Sequence, residues 1–113
     1  MKPKIRTAAA GIAVIGLAAA LWLPARAGGP VLATQKSRAF QPGSVTLALG
    51  EVLRILNDDG PLLHHAYVRT DRFNFDSGEQ QPGMTADIAF PELGSYTVLC
   101  GIHPKMRLAV VVK

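Results

Sequence analysis

The sequence is poor in cysteine and in aromatic side chains, with one Cys, one Trp, two Tyr and four Phe in 113 residues. A lone thiol cannot close an internal disulfide, so the stapling that often stabilises small exported domains is excluded. Acidic residues are missing from the first 27 positions, whereas four of the 12 Lys and Arg lie there (Lys2, Lys4, Arg6, Arg26). Beyond residue 27 the charges balance at eight against eight, and the basic pI belongs to the N-terminal segment. A nucleic-acid partner, which needs a basic patch, loses its support. No internal repeat, no low-complexity segment and no convincing helical period follows residue 27.

What the N-terminus does contain is an export signal. Lys2, Lys4 and Arg6 precede the uncharged apolar run 8-AAAGIAVIGLAAALWL-23, and 24-PARA-27 places small residues at Ala25 and Ala27 in the A-x-A pattern of a signal-peptidase site. The run falls short of the ~20 apolar residues of a comfortable membrane span. No twin arginine precedes it, and no cysteine lies near the cleavage site to carry lipid. Residues 1–27 are therefore expected to be a signal peptide, with an uncleaved anchor as the alternative, and 28–113 one domain that after cleavage is released to the periplasm without membrane attachment and acts as a monomer.

The mature segment alternates with period two between turn signals. In 44-SVTLALG-50, Val45, Leu47 and Leu49 alternate with Ser44, Thr46 and Ala48 after a Pro42-Gly43 turn. In 51-EVLRILN-57, Leu53 and Ile55 bracket Arg54. Ala66 and Val68 alternate with Tyr67 and Arg69, and 85-TADIAF-90 puts Ala86, Ile88 and Phe90 on one face. Residues 33–40 supply an edge strand, and 71-DRFNFDSGEQQPG-83 reads mostly as a loop pinned by Phe73 and Phe75. Regular short strands of this kind predict an all-β, antiparallel β-sandwich or barrel.

The chemistry lies in 98-VLCGIHPKMRLAVVV-112. Period two puts Tyr96, Val98 and Cys100 on one face, and Met106, Leu108, Val110 and Val112 on one face of the next strand. The intervening 101-GIHPK-105 is a tight connection with Gly101 and Pro104 as turn formers, and it carries His103. Thiolate and imidazole suit zinc or copper, but a thioether is a poor zinc ligand. A His₂Cys site with a weak axial Met is the donor set of blue-copper centres. It needs a second histidine, which 64-HH-65 supplies. His64 shares its face with Ala66 and Val68, so His64 is expected inward as the ligand and His65 beside the cysteine loop, where it can tune the metal. Singly, a lone His is usually surface or core, and Met106 is core filler. The conjunction of C-x-x-H-x-x-M, a remote inward histidine and no second cysteine favours a mononuclear site. A second thiolate, needed to bridge a binuclear copper centre, is missing.

These residues resemble the cupredoxins, the type 1 blue copper proteins. The run 100-CGIHPKM-106 is similar to the short ligand loop of amicyanin-like and plastocyanin-like members, and the likeness extends back through 94-GSYTVLC-100, 73-FNFDSGEQQPG-83 and 57-NDDGPLLHHAYV-68. The resemblance implies a Greek-key β-sandwich, one copper ion, and the metal ligands His64, Cys100, His103 and Met106. Many members have His-Asn-Val where this chain has 64-HHA-66, so His65 stands in place of an asparagine that braces the site.

The function expected is one-electron transfer between redox proteins acting as donor and acceptor, with no catalytic acid, base or nucleophile set and hence no enzyme. Two alternatives use the same segments: a periplasmic copper carrier or scavenger with the same ligands, and a metal-free β-sandwich that binds another protein.

Overall fold

The computed structural model describes residues 28–113; the expected signal peptide, 1–27, lies outside the described residues. Nine strands and no helix occur among the described residues: β1 (Val31–Lys36), β2 (Ala39–Gln41), β3 (Ser44–Leu47), β4 (Val52–Asn57), β5 (His64–Arg69), β6 (Asn74–Gln80), β7 (Thr85–Ala89), β8 (Gly94–Leu99) and β9 (Arg107–Val112). They form two sheets, ordered β2-β1-β4-β7 and β3-β9-β8-β5-β6. The all-β sandwich agrees with the alternating sequence pattern, but the sheets are mixed. β1 runs parallel to β4 and β3 parallel to β9, while the remaining pairs are antiparallel. Parallel neighbours arise because the chain changes sheet between them, so no tight hairpin constrains their direction.

The inward faces are those the alternation predicts. Leu53, Ile55, Ala66, Val68, Ile88, Val98, Leu108 and Val110 are all fully or almost fully buried. Each large aliphatic side chain contributes about 1.5–3 kcal/mol by leaving water. Three expectations need correcting. Leu49 does not continue the inward face of Leu47; β3 ends at Leu47, and Leu49 lies half-exposed in the turn before Gly50, whose φ is +98°. Residues 33–40 are not one edge strand. The chain reverses at Ser37 and Arg38, both left-handed at φ 55° and 56°, and β1 lies inside its sheet between β2 and β4. Neither residue is a glycine, so composition gave no sign of the turn.

The third correction concerns 71–83, where 74–80 is strand β6. β6 pairs only with β5 and presents mostly polar residues to solvent, which is why hydrophobic alternation is missing. Its register shifts between His65↔Glu79 and Tyr67↔Asp76, so β6 carries one extra residue there. Gly78 takes up this bulge at φ +69°, a backbone setting that L side chains rarely adopt. The displaced ladder leaves the Ala66 N–H to donate to Ser77 Oγ at 2.9 Å.

Candidate metal centre

Three donors meet at one end of the sandwich. His64 opens β5 with its side chain inward and fully buried; Cys100 follows β8 and is also buried; His103 stands half-buried on the loop between β8 and β9. The Cys100 Sγ lies 3.9 Å from His64 Nδ1 and 3.9 Å from His103 Nδ1, and the two Nδ1 atoms are 3.2 Å apart. A triangle with these sides has a point in its plane about 2.1 Å from every corner, matching the ~2.0–2.3 Å bonds that N and S donors make to a first-row metal ion. The group can hold one metal ion in a trigonal arrangement.

Met106, three residues beyond His103, is buried. Its N–H donates to the His103 carbonyl at 3.0 Å, closing the loop, and with Arg38, His103, Pro104 and Lys105 it lines an open, mainly apolar pocket of about 380 Å³. Of the residues the sequence singles out, the structure brings His64, Cys100 and His103 together, and Met106 joins His103 through this backbone bond and the shared pocket.

The histidine tautomer follows from Asp59. Its Oδ2 lies 2.7 Å from His64 Nε2, and Oδ1 and Oδ2 accept the backbone N–H groups of Ser37 at 2.8 Å and Arg38 at 2.9 Å. Burial by itself would raise the Asp59 pKa; the hydrogen bonds from Arg38, His64 and Ser37 together outweigh it and hold the group at about 2. An ionised carboxylate only accepts, so His64 Nε2 carries the proton and Nδ1 presents its lone pair to Cys100 and His103. Burial, together with the neighbouring His64 and Arg38, lowers the His103 pKa, with Asp59 opposing, and this favours the neutral, donor form of the ring. Sequence reasoning missed Asp59. Its position five residues before His64 in a turn-rich loop is also what a solvated surface acid looks like.

His65 points to the other face of β5. Its Nε2 lies 2.6 Å from Asp76 Oδ1, and its ring stacks on Tyr67 with centroids 5.4 Å apart. The ring also covers Gly101, the residue after Cys100: a Cβ there would collide with His65 Nδ1 and meet Cε1 at 3.0 Å. His65 therefore touches the cysteine loop by packing, as its place beside that loop suggested. Asp76 is oriented by the bulge, where its Oδ1 also accepts the Gly78 N–H at 2.8 Å. The Gly78 amide and the His65 ring hold the Asp76 pKa below the usual carboxylate value.

Behind His64 lies a buried amide cluster. Gln80, its register partner on β6, donates to the Ile55 and Met84 carbonyls at 3.3 and 3.4 Å, and Gln35 Nε2 donates to Gln80 Oε1 at 2.9 Å. Asn57 Nδ2 donates to the Leu62 and Gln80 carbonyls, fixing the loop that carries Asp59. The cluster ties β1, β4 and β6 together directly behind the candidate centre.

No family model matches this sequence, and none of the curated proteins is recognisably similar to it. Solved structures are similar in fold. A copper-containing nitrite reductase from Thermus scotoductus SA-01 superposes with a TM-score of 0.67 at 24% identity over 74% of this chain, which spans only 22% of the reductase. A reduced point mutant of amicyanin superposes with a TM-score of 0.70 at 18% identity, covering 76% of this chain and 84% of that one. An oxidised amicyanin mutant gives 0.69 at 18% identity, covering 77% and 85%. The fold is an amicyanin-like cupredoxin fold.

Proposed function

We propose that this cupredoxin-fold chain is an exported type 1 (blue) copper protein that carries single electrons between redox proteins, with His64, Cys100, His103 and Met106 as its ligands. The observation that carries the proposal is the donor triangle of two imidazole nitrogens and one sulfur, whose sides leave room for one ion in its plane. A soft thiolate with two imidazoles and a buried thioether alongside suits copper better than zinc. The structural neighbours support the metal, since the reductase is copper-containing and a further amicyanin neighbour is a Cu(I) form.

The bound ion supplies a Cu(I)/Cu(II) couple; the protein supplies the rest. Asp59 fixes the His64 ring, and the buried Cys100 and Met106 keep water from the interior side. His103 stands between this interior and the apolar pocket with Pro104, which is the side open to a redox partner. On this reading nothing is turned over, the chain works as a monomer, and export to the periplasm rests on the N-terminal segment 1–27.

The test is reconstitution of residues 28–113 with Cu(II). An intense visible charge-transfer band is expected, blue or green to the eye, and Cys100→Ser should abolish it. A colourless copper complex of the unmutated protein would overturn electron transfer and leave copper storage. Slow electron self-exchange in a coloured protein would likewise favour a carrier of copper over a carrier of electrons.

A further inference from the structure

We infer that the face around His103 receives an acidic surface of the redox partner, with Arg38 and Lys105 as the cations that meet it. This rests on the electron-carrier reading above and names the chemistry of the partner. The pocket at His103 is lined by Arg38, Pro104, Lys105 and Met106 with no carboxylate among its walls. Arg38 and Lys105 are exposed, and neither has a carboxylate within ion-pair distance among the described residues. Of the other surface cations among the described residues, Lys36 pairs with Asp58, Arg54 with Asp87 and Arg72 with Glu92, while Arg69, Arg107 and Lys113, which do not line this pocket, also have no ion-pair partner. Of the two acids next to the Arg38 turn, Asp58 is paired with Lys36, and Asp59 has a side chain only 12% exposed and is occupied by His64 and two backbone amides. What faces outward is apolar surface edged by two unmatched positive charges.

Arg38 is held there by the backbone. Ser37 and Arg38 both adopt the left-handed conformation, which is uncommon for residues other than glycine and persists where surrounding contacts enforce it. The enforcing contact is Asp59, which accepts both of their amides and the His64 ring at once. One carboxylate thus fixes a buried imidazole and the outward cation of the same site. Because residues 28–113 carry equal numbers of acidic and basic side chains, any field at this face is local, and local charge of this kind steers encounter.

The copper-loaded, reduced protein is oxidised in a stopped-flow instrument by hexacyanoferrate(III), an anion, and by tris(phenanthroline)cobalt(III), a cation, across ionic strength. The anion should react several-fold faster at low salt than at high salt, and the cation should show the reverse or no dependence. Poly-L-glutamate should slow both reactions by covering the face, and poly-L-lysine neither. Arg38→Asn with Lys105→Gln should remove most of the anion's salt dependence and the effect of poly-L-glutamate. Asparagine is chosen because it tolerates the left-handed backbone, and Arg38→Lys should restore the behaviour. An unchanged visible spectrum shows that the variants retain the site. Salt-independent rates with both oxidants, or rates that the double variant does not alter, would overturn the acidic partner and point to an apolar one. Failure of the unmutated protein to form a coloured redox centre would instead overturn the electron-carrier reading itself.

Discussion

The Asp59 carboxylate and the His64 ring lie 2.7 Å apart, oxygen to Nε2, on the side of the imidazole away from Cys100. A metal-binding histidine held in this way by a carboxylate has its tautomer and ring plane set in advance. The hydrogen bonds from Ser37 and Arg38 fix the carboxylate in turn, so the orientation is imposed from the turn between β1 and β2 as well as from the loop before β5.

Asp59→Asn is expected to weaken copper affinity about 10–100-fold, the usual cost of removing a partner of this type. The reduction potential should rise, because losing a negative charge near the metal disfavours Cu(II) more than Cu(I). Titration against a competing chelator, together with voltammetry, checks both. Unchanged values for both quantities would reduce Asp59 to a loop fastener.

The adjacent histidines are expected to behave oppositely. His64→Ala should remove the coloured site, since His64 Nδ1 is one corner of the donor triangle. His65→Ala should leave the colour and shift the potential, because it uncovers Gly101 beside the cysteine. Visible spectra of the two variants decide the matter; colour surviving only in His64→Ala would put the ligand on the other face of β5.

Gly101→Ala places a methyl group where the His65 ring lies, so the ring must rotate off and lose its contact with Asp76. Overpacking of this sort costs about 1–3 kcal/mol. Chemical denaturation of the metal-free protein should show that loss. Combining it with His65→Ala should recover most of it, and failure to recover would mean that the clash is not with His65.

Met106→Leu is expected to keep copper and colour but to raise the potential, because an axial thioether is weak and its loss costs Cu(II) more. If Met106 only fills the core with Leu108, Val110 and Val112, a near-isosteric Leu should change stability by less than about 1.5 kcal/mol and leave the potential alone. Voltammetry separates the two cases.

Much of the architecture was legible because alternation was strong where both faces differ. Cys100 and Met106 fell on inward faces, and His64 sorted inward from its neighbour by the same rule. What stayed hidden had no signal of that kind. β6 is polar because it is an edge strand. The Ser37-Arg38 reversal uses residues that seldom turn left-handed, and Asp59 enforces it from 21 and 22 positions away in sequence. Asp59, Gln35 and Gln80 are polar residues that tertiary contacts bury or occupy, and periodicity cannot distinguish them from surface residues.

The bulge in β6 also bears on how the molecule behaves in a crowd. A straight, apolar strand at the rim of a sheet invites a second molecule to add its own strand, and such growth has no natural stop. Here each rim is a poor template. β2 has three residues and β3 four. β7 carries Asp87, engaged sideways with Arg54, and β6 sets Asp76 and Glu79 around a kink at Gly78. The contact that aims Asp76 at His65 therefore also breaks the ladder that a stacking neighbour would need. Deleting Gly78 would straighten that rim, and the cost would fall first on colloidal stability: a protein clear at high concentration would begin to form fibres or precipitate.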